Sequence, residues 1–382
     1  MPIGKSKNAL YGCLLPLVGK RCQWRTVKGG GAGKNVKLLK TLQKYRAVGA
    51  CIQCFEKGRL TDCYTAGYAR LSPQKLEAGE STIFRTASIA KMVNALLVFR
   101  LQTLGKLDIC EEAGELLGYR VRNPRFPDAP ITLGMLLNHT SSIMDSPAYF
   151  ASFANPGGLQ TLLKDSAAFS PELPGLRFRY SNLGAGMIGC MLEKRFEESY
   201  ERLMQRELFS PLGVEATFDL SSLKDKPLAD SYRVLPAELC FSAAQRAQTA
   251  RPLDCPDPDS HYLLASGNLF LTASALARLA LAASGGEDGF INANCLKLMR
   301  APTTRWPQQD VAMGHGMGLL ELNDPAVYPE PIWGHQGFAY GAVNGVFFDA
   351  EGNGFASLNS GVSEQRTGHL AQLNRALIQA LL

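Results

Sequence analysis

From Ser88 to Leu104 the chain reads SIAKMVNALLVFRLQTL, which is apolar on nearly every side of a helical wheel. A helix without a solvated face cannot lie on a surface, so other elements must close around it. Gly105 follows at once and suits a left-handed cap. Enclosing such a helix needs a large core, and 382 residues, 46% of them hydrophobic, supply one. No stretch reaches the roughly 20 uninterrupted apolar residues of a membrane helix. The closest, residues 263–283, carries Ser266, Asn268, Thr272 and Arg278, and reads as a buried strand or loop followed by a core helix.

The elements available to enclose the helix lie at the two ends of the chain. Val48 to Tyr68 reads as two strands about a Lys57-Gly58 turn. After Trp306, the segments Gly314–Glu321, Trp333–Phe338, Ala342–Asp349 and Gly354–Asn359 read as short strands, and a helix over about Glu364–Leu382 ends the chain. Residues 110–290 read as mostly helical, broken by loops such as Asn123–Pro130 and Leu253–Pro258. The expectation is a mixed α+β fold: one antiparallel sheet built from both chain ends (about 45–70 and 306–360), flanked by helices, with a helical lobe inserted at about 110–290. Residues 1–40 are expected to be a basic leader and linker, and 41–382 the domain.

Charge sets that leader apart. Residues 1–55 hold eleven Lys or Arg and no acidic residue, so the rest of the chain is net acidic. Such an arm can make weak surface contacts with polymers or lipids. It lacks the interleaved aromatics of a nucleic-acid module, and no nucleic-acid partner is expected. Lys5 and Lys7 before the apolar run Ala9–Gly19 resemble a signal peptide, but Pro16, Lys20 and Arg21 interrupt the pattern. Leu10-Tyr11-Gly12-Cys13 is faintly like a lipoprotein cleavage box behind too short an apolar stretch. Gly29–Lys34 mimics a phosphate loop, yet Lys28 and Asn35 stand where glycine and Ser/Thr are required; it reads as a flexible linker. Ten cysteines in a chain of this size read as buried thiols, which suits a reducing cytoplasmic compartment, with export as the alternative. Cys51 and Cys54, three apart on a strand, point to opposite faces.

Three short motifs carry candidate chemistry. Ser88-Ile89-Ala90-Lys91 sets a serine and a lysine one turn apart on one helix face, with backbone N–H groups of the helix start beside the hydroxyl. Ser72–Lys75 and Ser221–Lys224 share the spacing but lie in polar, turn-like stretches. Tyr180-Ser181-Asn182 precedes a Gly-rich apolar helix, and Asn182 alone could be an N-cap. His335-Gln336-Gly337 sits on an expected strand, where a glycine permits close approach to the backbone. His335 alone would more often be structural than catalytic.

In this order and context the three motifs resemble those of the class C serine β-lactamases and of the related low-molecular-weight D-alanyl-D-alanine carboxypeptidases, D-amino peptidases and esterases. Family-like segments also cover Phe84–Asp108, Ile131–Ser142, Pro174–Gly213, Ala265–Leu269 and Gly334–Gly345, so the likeness spans about residues 45–382. The resemblance implies a β-lactamase/transpeptidase-like fold and a serine hydrolase that needs no cofactor. It implies an acyl-enzyme on Ser88, with Tyr180 as general base and Lys91 stabilising the tyrosinate. The oxyanion would take the N–H groups of Ser88 and Phe338, beside Gly337, and Asn182 would hold the substrate amide. His335 stands where antibiotic-hydrolysing members usually carry lysine, which implies weaker selection of carboxylate-bearing β-lactams and better tolerance of esters or amides.

The partner implied is a small-molecule or peptide substrate, with carboxypeptidase or esterase activity ahead of antibiotic hydrolysis. The rival class is a penicillin-recognising sensor that acylates without turnover. A metal hydrolase finds no support: the five histidines (139, 261, 315, 335 and 369) lack ligand spacing, and His139 and His315 read as structural.

Overall fold

The computed structural model describes residues 24, 26–155, 157–305 and 311–382. The signal-peptide and lipoprotein-like readings at 9–19 and 10–13, and the boundary residue Trp306, lie outside these.

A ten-stranded antiparallel sheet joins the two chain ends. The hairpin Gly49–Glu56/Arg59–Arg70 pairs through its first strand with Gly354–Asn359, Ile52 facing Ser357. The order continues through Ala342–Phe348, Ile332–Ala339, Leu320–Leu322, Met313–His315 and Thr304–Arg305. Strand alternation then divides the apolar side chains between two cores. Cys51, Phe55, Val346, Phe348, Ala356 and Leu358 face one side, whereas Ile52, Cys54, Val343, Phe347 and Phe355 face the other. Cys51 and Cys54 thus point to opposite faces, and the eight described cysteines are free.

On the first face lies the apolar helix, Ala90–Thr103, entered through a 3-10 turn at Ala87–Ile89. Every residue from Ala90 to Phe99 is buried, and Gly105 follows with φ +67°. The helices Asn182–Phe196 and Ala273–Ala283 pack around it, the latter also covering the hairpin. Burying a Leu or Phe side chain stabilises by about 1.5–3 kcal/mol, so this all-round burial makes the helix the axis of the fold. The second face is covered by the C-terminal helix, Gln372–Leu381, shorter than expected because residues 366–371 form a two-stranded ribbon first.

A correction concerns the described part of the expected leader and linker, residues 24 and 26–40. They are no linker: Val27–Lys28 extends the sheet by pairing with Thr65 and Ala66, and Ala32–Lys44 is a helix packed on the C-terminal one. Trp24, Leu38 and Leu42 are buried, and the Trp24 indole N–H donates to the Ala47 carbonyl at 3.0 Å. Gly29 and Gly30 serve close approach, since a Cβ on Gly29 would stand 1.8 Å from the Cys63 carbonyl oxygen and one on Gly30 2.2 Å from the Tyr64 ring. The inserted lobe is helical as expected but also supplies Phe270–Leu271 and Ala216–Thr217 to a small sheet with Phe84–Arg85, whose two-residue strands are too short to show periodicity.

Candidate active site

Ser88 sits where the chain turns sharply from the small sheet into the central helix. Ala87, just before it, is left-handed at φ +54°, a conformation that costs a non-glycine residue about 1 kcal/mol. Neighbours hold the turn. The Arg85 guanidinium donates to Asn268 Oδ1 at 3.0 and 2.7 Å, the Thr86 N–H donates to the Leu269 carbonyl at 2.9 Å, and Asn344 Nδ2 donates to the Arg85 carbonyl at 3.0 Å. The strand Ile332–Ala339 lies directly against this turn. A Cβ on Gly337 would stand 2.1 Å from the Thr86 carbonyl oxygen, so only glycine lets the strand, and with it the Phe338 backbone, come so close.

Lys91 is buried one turn below Ser88. Its ammonium nitrogen lies 2.6 Å from the Ser266 carbonyl oxygen, 2.9 Å from Asn182 Oδ1 and 3.4 Å from Ser88 Oγ. Burial is the main cause that brings its pKa down to about 7; Asp145 opposes the shift and Arg85 adds to it. The Tyr180 ring stands 5.0 Å from the Lys91 nitrogen, 37% exposed, and Ser88 is near enough to its hydroxyl to lower its pKa. Burial of that hydroxyl raises its pKa above the ordinary phenol value, against the lowering effects of the Ser88 contact and Arg366.

The three motifs therefore converge. Asn182 is not the N-cap: Ser181 is, its hydroxyl accepting from the Gly184 N–H at 2.9 Å, which leaves the Asn182 amide free to face Lys91. His335 is buried in the strand, and its Nδ1–H donates to the Gln336 carbonyl at 2.7 Å. Burial, with His315 and Lys91 nearby, pushes its pKa down to about 3. His315 packs 6.3 Å from the His335 ring and 5.0 Å from His139, which in turn stands 4.5 Å from the Tyr180 ring. These two histidines, 176 positions apart in the chain, thus belong to the wall of the site.

Asp145, Tyr149 and Arg366 also join the site, and nothing in the sequence singled them out. Asp145 accepts from the Asn182 backbone and side chain, and Tyr149 lies beside Ser266. The Arg366 guanidinium lies 3.6 Å from the centre of the Phe338 ring. The one signal along the chain is the family-like segment Ala265–Leu269, whose Ser266 carbonyl closes on Lys91. Among the described residues no group of three or more His, Cys, Asp or Glu could hold a metal ion.

Known proteins share both the sequence pattern and the fold. Penicillin-binding protein 4* of Bacillus subtilis is 26% identical over 188 residues, 47% of this chain and 40% of that one, so the chain spans less than half of that relative. Among solved structures, EstCE1, a hydrolase with promiscuous acyltransferase activity, superposes with a TM-score of 0.69 at 21% identity, covering 92% of this chain and 100% of its own. The D-amino acid amidase of Ochrobactrum anthropi SV3 gives 0.69 at 19% identity, covering 92% and 98%. Both likenesses establish the fold, a mixed α+β β-lactamase/transpeptidase-like one. A family model described as Beta-lactamase matches residues 35–377, nearly the whole chain, and the chain therefore belongs to the β-lactamase family.

Proposed function

We propose that the protein is a serine hydrolase that forms an acyl-enzyme on Ser88 and hydrolyses esters or amides, with Lys91 taking the serine proton. The observation that carries this is the set of contacts around Lys91. An uncharged amine has two N–H bonds and one lone pair. The Ser266 carbonyl and Asn182 Oδ1 are acceptors that engage the two N–H bonds, and the third direction meets Ser88 Oγ. With a pKa near 7, about half of the lysines are uncharged at neutral pH. The Tyr180 phenol, its pKa raised, keeps its proton. This exchanges the roles that the resemblance implied: Lys91 is the base, and Tyr180 is the neutral donor that hands a proton to the departing atom and regains one from Lys91.

Ser88 Oγ attacks the carbonyl as its proton passes to Lys91, and the oxyanion forms against the N–H groups of Ser88 and Phe338. The leaving amine or alcohol departs with a proton from Tyr180. Water then repeats the sequence on the acyl-enzyme. Gly337→Ala is expected to lower fluorophosphonate labelling of Ser88 about 100-fold, because the added methyl pushes the Phe338 donor away from the turn. Intact-protein mass on variant and wild type reads this directly.

Substrate choice follows from His335, which gains a charge only near pH 3. Between pH 5 and 8 the ratio of kcat/KM for a carboxylate substrate to that for its neutral analogue is expected to show no titration of His335. His335→Lys supplies a permanent cation and is expected to raise acylation by benzylpenicillin about tenfold, or about 1.4 kcal/mol. An unchanged rate would remove His335 from carboxylate selection. An intact-mass time course of the wild type with a penicillin tests the wider reading. A lasting adduct supports a penicillin-binding peptidase or a sensor; drug consumed without adduct supports a β-lactamase. An intact drug with no adduct, beside a turned-over p-nitrophenyl ester, supports the esterase or D-peptidase reading.

A further inference from the structure

We infer that Asp145 is a positioning residue that sets both the orientation of the Asn182 amide and the charge environment of Lys91. The inference rests on the Ser88–Lys91 reading above. One oxygen of Asp145 accepts from the Asn182 N–H at 2.7 Å, the Leu183 N–H at 2.9 Å and the Ser181 hydroxyl at 3.2 Å. The other accepts from Asn182 Nδ2 at 2.8 Å. A carboxylate has only acceptors, so it holds the NH2 end of Asn182 towards itself and the Oδ1 end on Lys91, 2.9 Å away.

The orientation has a chemical consequence. With Oδ1 facing Lys91, the amine must spend an N–H on Asn182, and its lone pair is left for Ser88. With the amide reversed, Asn182 Nδ2 would donate to the Lys91 lone pair and remove the base from the serine. Asn at position 145 would favour that reversal, since its own NH2 cannot accept from Asn182 Nδ2 when its oxygen serves the backbone N–H groups. Asp145 also supplies the negative charge that opposes the burial of Lys91; Arg85 acts against it. The remaining titratable groups around the lysine are Tyr180 and the three histidines, 139, 315 and 335, which burial keeps uncharged at neutral pH, and Tyr149 behind Ser266.

A residue that merely capped the helix Asn182–Phe196 would alter stability alone. The test is the pH dependence of Ser88 labelling by a fluorophosphonate, followed by intact mass from pH 5 to 9, on wild type, Asp145→Asn and Ser181→Ala. Asp145→Asn is expected to lower the plateau rate about 30-fold and to move the acid limb from about pH 7 to about pH 6. Ser181→Ala, which removes a cap of the same helix and one hydroxyl contact of Asp145 but neither its charge nor its bond to Asn182 Nδ2, is expected to lower Tm and leave the limb in place. An Asp145→Asn protein with an unmoved limb and a normal plateau overturns the inference, whatever its Tm. Should that variant not fold, Asp145→Glu keeps the charge but displaces it from Asn182. There a plateau about tenfold lower with the limb near pH 7 supports the inference, and a wild-type plateau overturns it. A wild type that is not labelled at Ser88 at all overturns the acyl-enzyme reading and this inference with it.

Discussion

Ser88→Ala is expected to abolish turnover of every ester or amide that the wild type accepts, a loss on the order of 10⁵-fold in kcat. The reason is chemical rather than architectural. Removing the hydroxyl deletes the atom that forms the acyl bond, while the turn around it is held by Arg85, Thr86 and Asn344 through contacts that do not involve the Ser88 side chain. The fold should therefore survive, with a Tm within a degree or two of wild type. Initial rates with p-nitrophenyl esters, read beside a melting curve, check both halves. Near-normal rates in the alanine variant would end the acyl-enzyme mechanism, and a collapsed Tm would mean that the loss reports unfolding.

The second large effect is at Lys91. Lys91→Met keeps a buried stem of similar length and is expected to lower kcat/KM about 10³-fold, the usual range for losing a general base. It should also change the shape of the pH profile. If the uncharged amine is the active form, wild-type kcat/KM rises as pH passes upward through about 7, the value to which burial lowers the lysine. Methionine has nothing to titrate, so the residual activity of the variant should lack that limb. A wild-type profile rising only above pH 9 would instead indicate a tyrosinate base at Tyr180, as the resemblance implied.

Where a physical signal is local, it was readable in the chain. The central helix announced itself because an all-apolar wheel has only one kind of environment, and every residue from Ala90 to Phe99 is indeed buried. The hairpin about Lys57-Gly58 and the strands near Trp333, Ala342 and Gly354 were visible through period-two alternation and their turns. Boundaries moved where two signals competed. Gly29 and Gly30 have the composition of a linker, yet they are tight-approach glycines leading into a helix of the folded body. The C-terminal helix shortened because residues 366–371 pair with one another first.

The fold class, the central helix and the candidate motif residues Ser88, Lys91, Tyr180, Asn182 and His335 were legible along the chain, because helix and strand periods and short motifs are properties of neighbouring residues. What those residues touch came from the folding of distant segments onto one another. That Lys91 meets Ser266 and Asn182, that Asp145 orients Asn182, and that His139, His315 and His335 gather in one wall depend on the paths of separate loops. The burial that lowers Lys91 and His335 and raises Tyr180 exists only once those loops close over them. Electrostatic environment is a property of three-dimensional surroundings, and no pattern along the chain encodes it.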